Sequence, residues 1–126
     1  MSIALQKLKD AQTRTNSMLS IGLEPCLEYL SPGVTADAHG FKAFLRVIIN
    51  ATTNLACAYK FNLAFFEALG REGMNILYEV REMIPDDVLV IADAKRCDIG
   101  TSARRYAHML YDVLQADAAT INPLMG

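Results

Sequence analysis

Four short apolar runs punctuate the chain: Met18-Leu19-Ser20-Ile21-Gly22, Cys57-Ala58-Tyr59-Lys60-Phe61, Val88-Leu89-Val90-Ile91-Ala92 and Ala118-Ala119-Thr120-Ile121-Asn122. They lack the apolar/polar alternation of a half-solvated strand. They therefore predict strands covered on both faces, as parallel sheets require. Longer amphipathic stretches lie between them. Phe41, Phe44, Leu45, Ile48 and Ala51 recur at i, i+3, i+4, i+7 spacing and predict a helix over 41–55 with one buried face. A second helix is expected over 71–83, stopped by Pro85 and the turn-forming Asp86-Asp87. A third covers 102–115, with Tyr106, Met109, Leu110 and Val113 along one side and Arg104, Arg105, His108 and Asp112 largely elsewhere.

Strand and helix in regular alternation predict an α/β fold built on a parallel sheet. Four strands suit either a small doubly wound sheet or half of a (β/α)8 barrel. A whole barrel needs ~200 residues or more, and the chain has 126. That length corresponds to one ordinary domain, with no linker, repeat or low-complexity tract to divide it.

Composition narrows the class. With 52% hydrophobic residues and a net charge of -2, from 12 basic against 14 acidic side chains, the chain is too apolar to stay disordered. It also lacks the basic excess of a dedicated nucleic-acid binder. No apolar run approaches the ~18 residues of a membrane helix. Lys7, Lys9 and Arg14 interrupt the N-terminal stretch, so it has no signal-peptide core. Cys26, Cys57 and Cys97 are widely spaced and odd in number, which predicts free thiols in a reducing cytoplasm. No His/Cys/Asp set has zinc spacing, and His39 and His108 are expected at surface or packing positions. The scattered Met and aromatic residues are expected to fill the core.

The chemistry concentrates in Asp93-Ala94-Lys95-Arg96-Cys97-Asp98. Residues two apart on a strand share a face, so Asp93 and Lys95 point the same way, just where the apolar run ends. Active sites of barrels and open parallel sheets gather at that carboxyl end. An isolated Asp-x-Lys is most simply an ion pair, with Asp98 solvated. Two features favour more: both charges follow a strand too apolar to face water, and Lys60 repeats the arrangement one strand earlier.

Taken together, four stretches resemble the orotidine 5'-phosphate decarboxylase family, in its longer bacterial subfamily. They are Ile21-Gly22-Leu23-Glu24-Pro25; Ala58-Tyr59-Lys60-Phe61-Asn62 running on to Phe65-Phe66-Glu67-Ala68-Leu69-Gly70; Asp93-Ala94-Lys95-Arg96-Cys97-Asp98-Ile99-Gly100; and Asn122-Pro123-Leu124-Met125-Gly126. They stand in the family's order and spacing across nearly the whole chain. The resemblance implies a (β/α)8 barrel of which residues 1–126 form the N-terminal half, about four β/α units, with the C-terminal half absent. It also implies a cytoplasmic homodimer with a shared active site, a nucleotide substrate, and neither cofactor nor metal. Lys60, Asp93, Lys95 and Asp98 become the charged tetrad. In it Lys95 protonates carbon 6 of the pyrimidine, Lys60 binds the ribose and positions Asp93, and Asp98 reaches the neighbouring subunit's site with Ile99 and Ser102 beside it. Glu24, Asn62, Asn122 and Pro123 join Ile99 and Ser102 as expected substrate contacts.

The chain departs from the family's pattern at several points. Glu24 stands for a ribose-binding Asp, Phe61 for a Pro, Cys97 for a Gly, Ser102 for a Thr and Leu124 for a Tyr. A positive φ at position 97 would strain the Cys97 side chain and the loop that aims Asp98. The family's phosphate loop and flap belong to its second half, so activity of residues 1–126 alone is not expected. Two other readings stand beside the decarboxylase. One is a magnesium-dependent sugar-phosphate lyase of the same superfamily, against which Lys60 argues by occupying a metal-binding Glu position. The other is a non-catalytic half-barrel that serves as an assembly module.

Overall fold

The structure is a computed structural model that describes residues 2–124. The last two residues of the Asn122–Gly126 stretch, Met125 and Gly126, lie outside the described residues. The chain order is α1 (Ile3–Thr15), β1 (Ser20–Leu23), α2 (Ala38–Thr52), β2 (Ala58–Asn62), α3 (Leu63–Ala68), α4 (Gly70–Arg81), β3 (Leu89–Arg96), α5 (Gly100–Ala107) and β4 (Ala118–Ile121). A π-helical segment, His108–Val113, continues α5. The four strands form one sheet in the order β1-β2-β3-β4, each neighbouring pair parallel.

The two faces of this sheet are covered differently. Tyr59, Phe61, Val90 and Ala92 join the main core, against Phe41, Leu45 and Ile49 of α2 and Ile76, Leu77 and Val80 of α4. Burying each such large side chain contributes ~1.5–3 kcal/mol. Phe61 of β2 also meets Phe66 of α3 edge to face, with ring centroids 5.7 Å apart. On the opposite face Ala58, Leu89 and Ile91 pack with Ala4, Leu8 and Ala11 of α1. Lys7 of α1 binds Asp117 at 2.8 Å, and the same carboxylate accepts the Val90 N–H. That ties the helix beneath the amino ends of β3 and β4.

Hence the α1-side face of β3 reads Leu89, Ile91, Asp93, Lys95 from its amino to its carboxyl end. The lower pair is capped by α1 and the upper pair carries charge. An apolar floor with a charged rim results, set by the strand's alternation as far as Asp93.

The predicted helices at 41–55 and 71–83 correspond to α2, which lies three residues earlier, and α4, and the four apolar runs to the four strands, which start no more than two residues from the start of each run. β3 is the longest and extends through the charged motif to Arg96. The 102–115 stretch behaves differently. Leu110 and Leu114 are buried, whereas Tyr106 and Val113 are 40% and 49% exposed. The π-helical turn resets the phase, so the face read from a 3.6-residue period is not maintained.

Candidate active site

At the carboxyl end of β3, the Asp93 carboxylate is surrounded by donors. Lys95 Nζ reaches Oδ1 at 2.7 Å, Thr120 Oγ1 donates to the same oxygen at 2.7 Å, and Lys60 Nζ approaches Oδ2 at 3.5 Å. Asp93 is nearly enclosed, its side chain 11% exposed, while Lys60 and Lys95 are 39% and 67% exposed. The hydrogen bond from Lys95 holds the Asp93 carboxyl below the usual carboxylate range, aided by Thr120 and by the lysine charges and opposed by burial. The centre is an enclosed anion with two ammonium groups turned toward solvent.

Strand register builds it. Asn62 pairs with Asp93 and Gly22 with Lys60, so these positions share one face of the sheet. Glu24 follows β1 on that face, its Oε1 3.7 Å from where a Cβ on Gly22 would lie. Asn62 precedes α3 in the place of a capping residue, yet its side chain makes no cap bond. Its Oδ1 is instead buried without a hydrogen-bond partner among the described residues. A buried acceptor of this kind costs ~1–3 kcal/mol until a donor arrives.

The backbone between β3 and β4 is irregular. Pairing runs Ile91 to Ala118 and Ala92 to Ala119, then resumes at Arg96 to Ile121. Three residues of β3 therefore face Thr120 alone, a bulge of the kind that re-aims side chains beside active sites. Within it Lys95 adopts φ 50°, a left-handed conformation costing ~1–2 kcal/mol for a residue with a Cβ. Cys97 has no positive φ, so the strain foreseen there falls on Lys95. Gly100, at φ 56°, is also left-handed and opens α5.

Of the expected tetrad, Lys60, Asp93 and Lys95 come together and Asp98 does not. Asp98 Oδ1 accepts the Ile99 N–H at 2.8 Å. It lines a cleft of about 210 Å3 between α5 and β4, with Tyr106, Leu110, Ile121 and Asn122. Ile99 is 71% exposed and Ser102 lies on the open side of α5. Asn122 donates its N–H to the Arg96 carbonyl and accepts the Leu124 N–H, and Pro123 is exposed beside it. Among the described residues none of these has a bond to the Asp93 cluster. Arg96 braces the loop after β3, pairing with Glu67 of α3 and lying 5.5 Å from the Tyr106 ring centre. Sequence reasoning missed Thr120. Its one signal is a hydroxyl inside an apolar run, at a position whose partner emerges only from the β3–β4 register.

Cys26, Cys57 and Cys97 are free thiols. Among the described residues no helix is long and apolar enough to cross a membrane, and no three His, Cys, Asp or Glu side chains are grouped to hold a metal ion.

Comparison with known proteins places this arrangement. The chain is 44% identical over 122 residues to an orotidine 5'-phosphate decarboxylase of Dehalococcoides mccartyi, covering 97% of this chain and 43% of that protein. It is 45% identical to the Herpetosiphon aurantiacus decarboxylase of the same name, covering 97% and 46%. The chain thus spans less than half the length of these relatives. The solved structure of Leishmania donovani OMP decarboxylase matches all of this chain and 46% of its own, with TM-score 0.83 and 36% identity. The four parallel strands and their helices are accordingly the α/β arrangement of these barrel decarboxylases over about half their length. Residues 32–126 match the model of the orotidine 5'-phosphate decarboxylase / HUMPS family, and the chain belongs to that family.

Proposed function

We propose that residues 1–126 are the N-terminal half of a barrel enzyme that converts orotidine 5'-phosphate to uridine 5'-phosphate and carbon dioxide without a cofactor. One observation carries the reading: a nearly enclosed carboxylate, Asp93, stands between the Lys60 and Lys95 ammonium groups at the carboxyl end of the sheet.

The reaction calls for this combination. Losing carbon dioxide from carbon 6 leaves a vinyl-type carbanion with little delocalisation, so a cation must await it. Lys95, partly open to solvent and steadied by Asp93, stabilises the developing charge and then delivers a proton to carbon 6. Asp93 also repels the substrate carboxylate, a contact relieved as carbon dioxide departs. At ~4 Å and an effective dielectric near 20 this repulsion amounts to about 4 kcal/mol, whereas enzymatic accelerations require roughly 8–23 kcal/mol. Transition-state electrostatics therefore dominate over ground-state stress. Lys60 serves the ribose and holds Asp93, while Asn62 Oδ1 and Glu24 offer acceptors for sugar hydroxyls.

The same cluster argues against the metal-dependent lyases of the family. A divalent cation approaching Asp93 would meet two ammonium groups already on its oxygens. Asp98, whose carboxylate is bonded to the Ile99 N–H and not to its own subunit's cluster, acts in the partner's site of a homodimer, beside Ile99 and Ser102. Asn122 and Pro123 border the same end of the sheet. The free thiols suit a reducing cytoplasm.

The test is uridine 5'-phosphate formation by the full-length protein, before and after removal of divalent metals, and by its Lys95→Ala variant. The expected result is metal-independent turnover that Lys95→Ala abolishes while the protein still folds. Retention of more than about a tenth of the wild-type rate, a change under ~1.4 kcal/mol, would remove Lys95 from the donor role. Loss of turnover on chelation would overturn the metal-independent mechanism, and absence of uridine 5'-phosphate formation even with metal present would favour the lyase reading.

A further inference from the structure

We infer that Thr120 is a positioning residue whose hydroxyl locks the Lys95 backbone and the Asp93 carboxylate into one geometry. The inference rests on the decarboxylase reading, in which Lys95 supplies the proton. The Lys95 backbone N–H donates to Thr120 Oγ1 at 3.0 Å, and Thr120 Oγ1 contacts Asp93 Oδ1 at 2.7 Å. Their direction is fixed by chemistry. A backbone N–H can only donate, so the hydroxyl accepts from Lys95 and its single hydrogen points to Asp93.

The need for such a lock follows from the bulge. Where β3 runs three residues against one of β4, the Lys95 N–H has no carbonyl opposite it in the ladder. Thr120 is the residue facing that gap, and its side chain takes the place of the missing acceptor. The bond also holds Lys95 at its left-handed φ, a conformation that persists only where surroundings over-determine it. With the backbone so turned, Lys95 Nζ folds onto Asp93 Oδ1, the oxygen that Thr120 itself contacts. One hydroxyl therefore sets both the origin of the proton donor and the orientation of its counter-ion. Reacting groups displaced by about 1 Å can lose ~100-fold in rate, so a residue that touches no substrate can still govern turnover.

Thr120→Val keeps the branched shape and strand preference and removes only the hydroxyl; Thr120→Ser keeps the hydroxyl and removes the methyl. Both belong in the full-length protein, with two readouts: kcat and KM for orotidine 5'-phosphate, and the Asp93 carboxyl titration by 13C NMR. For Thr120→Val the expected result is a kcat lower by roughly tenfold or more with KM changed by less than about threefold, and an Asp93 pKa above the wild-type value. Thr120→Ser should restore both to near wild type. Thr120→Ala provides the same comparison if the valine variant does not fold. A hydroxyl-free variant that merely melts earlier, with wild-type kcat and an unmoved Asp93 titration, would overturn the inference. If wild type itself does not decarboxylate the nucleotide, the decarboxylase reading fails, and the Asp93 titration still decides whether Thr120 orients that carboxylate.

Discussion

At the scale of single residues, the site depends on Asp93 remaining an anion, which has a consequence for pH. Its carboxyl is held below the ordinary range, first by the hydrogen bond from Lys95 and then by Thr120. A carboxyl whose folded pKa is depressed adds stability above its unfolded pKa, about 3.9, and loses that contribution as pH falls through the folded value. Wild type should therefore lose ground against Asp93→Asn as pH is lowered from 6 toward 3, whatever the offset between them at neutral pH. Urea midpoints at several pH values measure this, and a difference that stays constant would show that the lysines do not favour the charged form. The contribution is limited because both lysines are partly exposed and screened. Lys60, Asp93 and Lys95 were legible in the sequence because charge at the end of a buried strand is conspicuous. Thr120 and the left-handed Lys95 were not. The first depends on an interstrand register, and the second occurs at a residue with no glycine to announce it.

At the scale of elements, a close constraint lies between α3 and α4. A Cβ on Gly73 would sit 1.9 Å from the Phe66 carbonyl oxygen, a backbone atom that cannot swing aside. Helix propensity favours Ala over Gly by ~1 kcal/mol, but overpacking a closed contact costs ~1–3 kcal/mol even where side chains can yield. The clash prevails here. Gly73→Ala should destabilise the protein by about 2 kcal/mol, seen as a lower urea midpoint at unchanged slope. A rise in midpoint would mean that the helices do not meet at Gly73. Phe66 packs on Phe61 of β2, next to Lys60 and Asn62, so displacement of α3 would also disturb the site. The longer amphipathic helices were readable from periodicity; α1, α3 and the π-helical turn were not. The buried face of α1 is narrow, with Ala11 enclosed while Ile3 and Leu5 are 87% and 44% exposed. α3 has six residues, too few to display a period, and a π-helical turn violates the period used to find helices.

At the scale of the whole molecule, the decarboxylase reading calls for a second subunit. β1 and β4 each have a neighbour on one side only among the described residues, and such open edges need covering. The Asp98 carboxylate accepts the Ile99 N–H and, among the described residues, makes no bond to Lys60, Asp93 or Lys95. Ile99, beside it, is 71% exposed, large and apolar, and suited to a partner's surface. If two-fold symmetry brings each Asp98 to the other subunit's lysines, the two halves of a site can be supplied separately. Lys95→Ala subunits retain Asp98, and Asp98→Ala subunits retain Lys95. Each preparation of the full-length protein should be inactive alone. After subunit exchange, every mixed dimer would contain one complete site and one doubly defective site. Random mixing would restore roughly a quarter of the wild-type sites, readable as turnover per active site after confirming exchange by mass spectrometry. Absence of recovery in confirmed mixed dimers would place Asp98 outside the partner's site and confine the chemistry to the Lys60, Asp93 and Lys95 cluster of a single subunit.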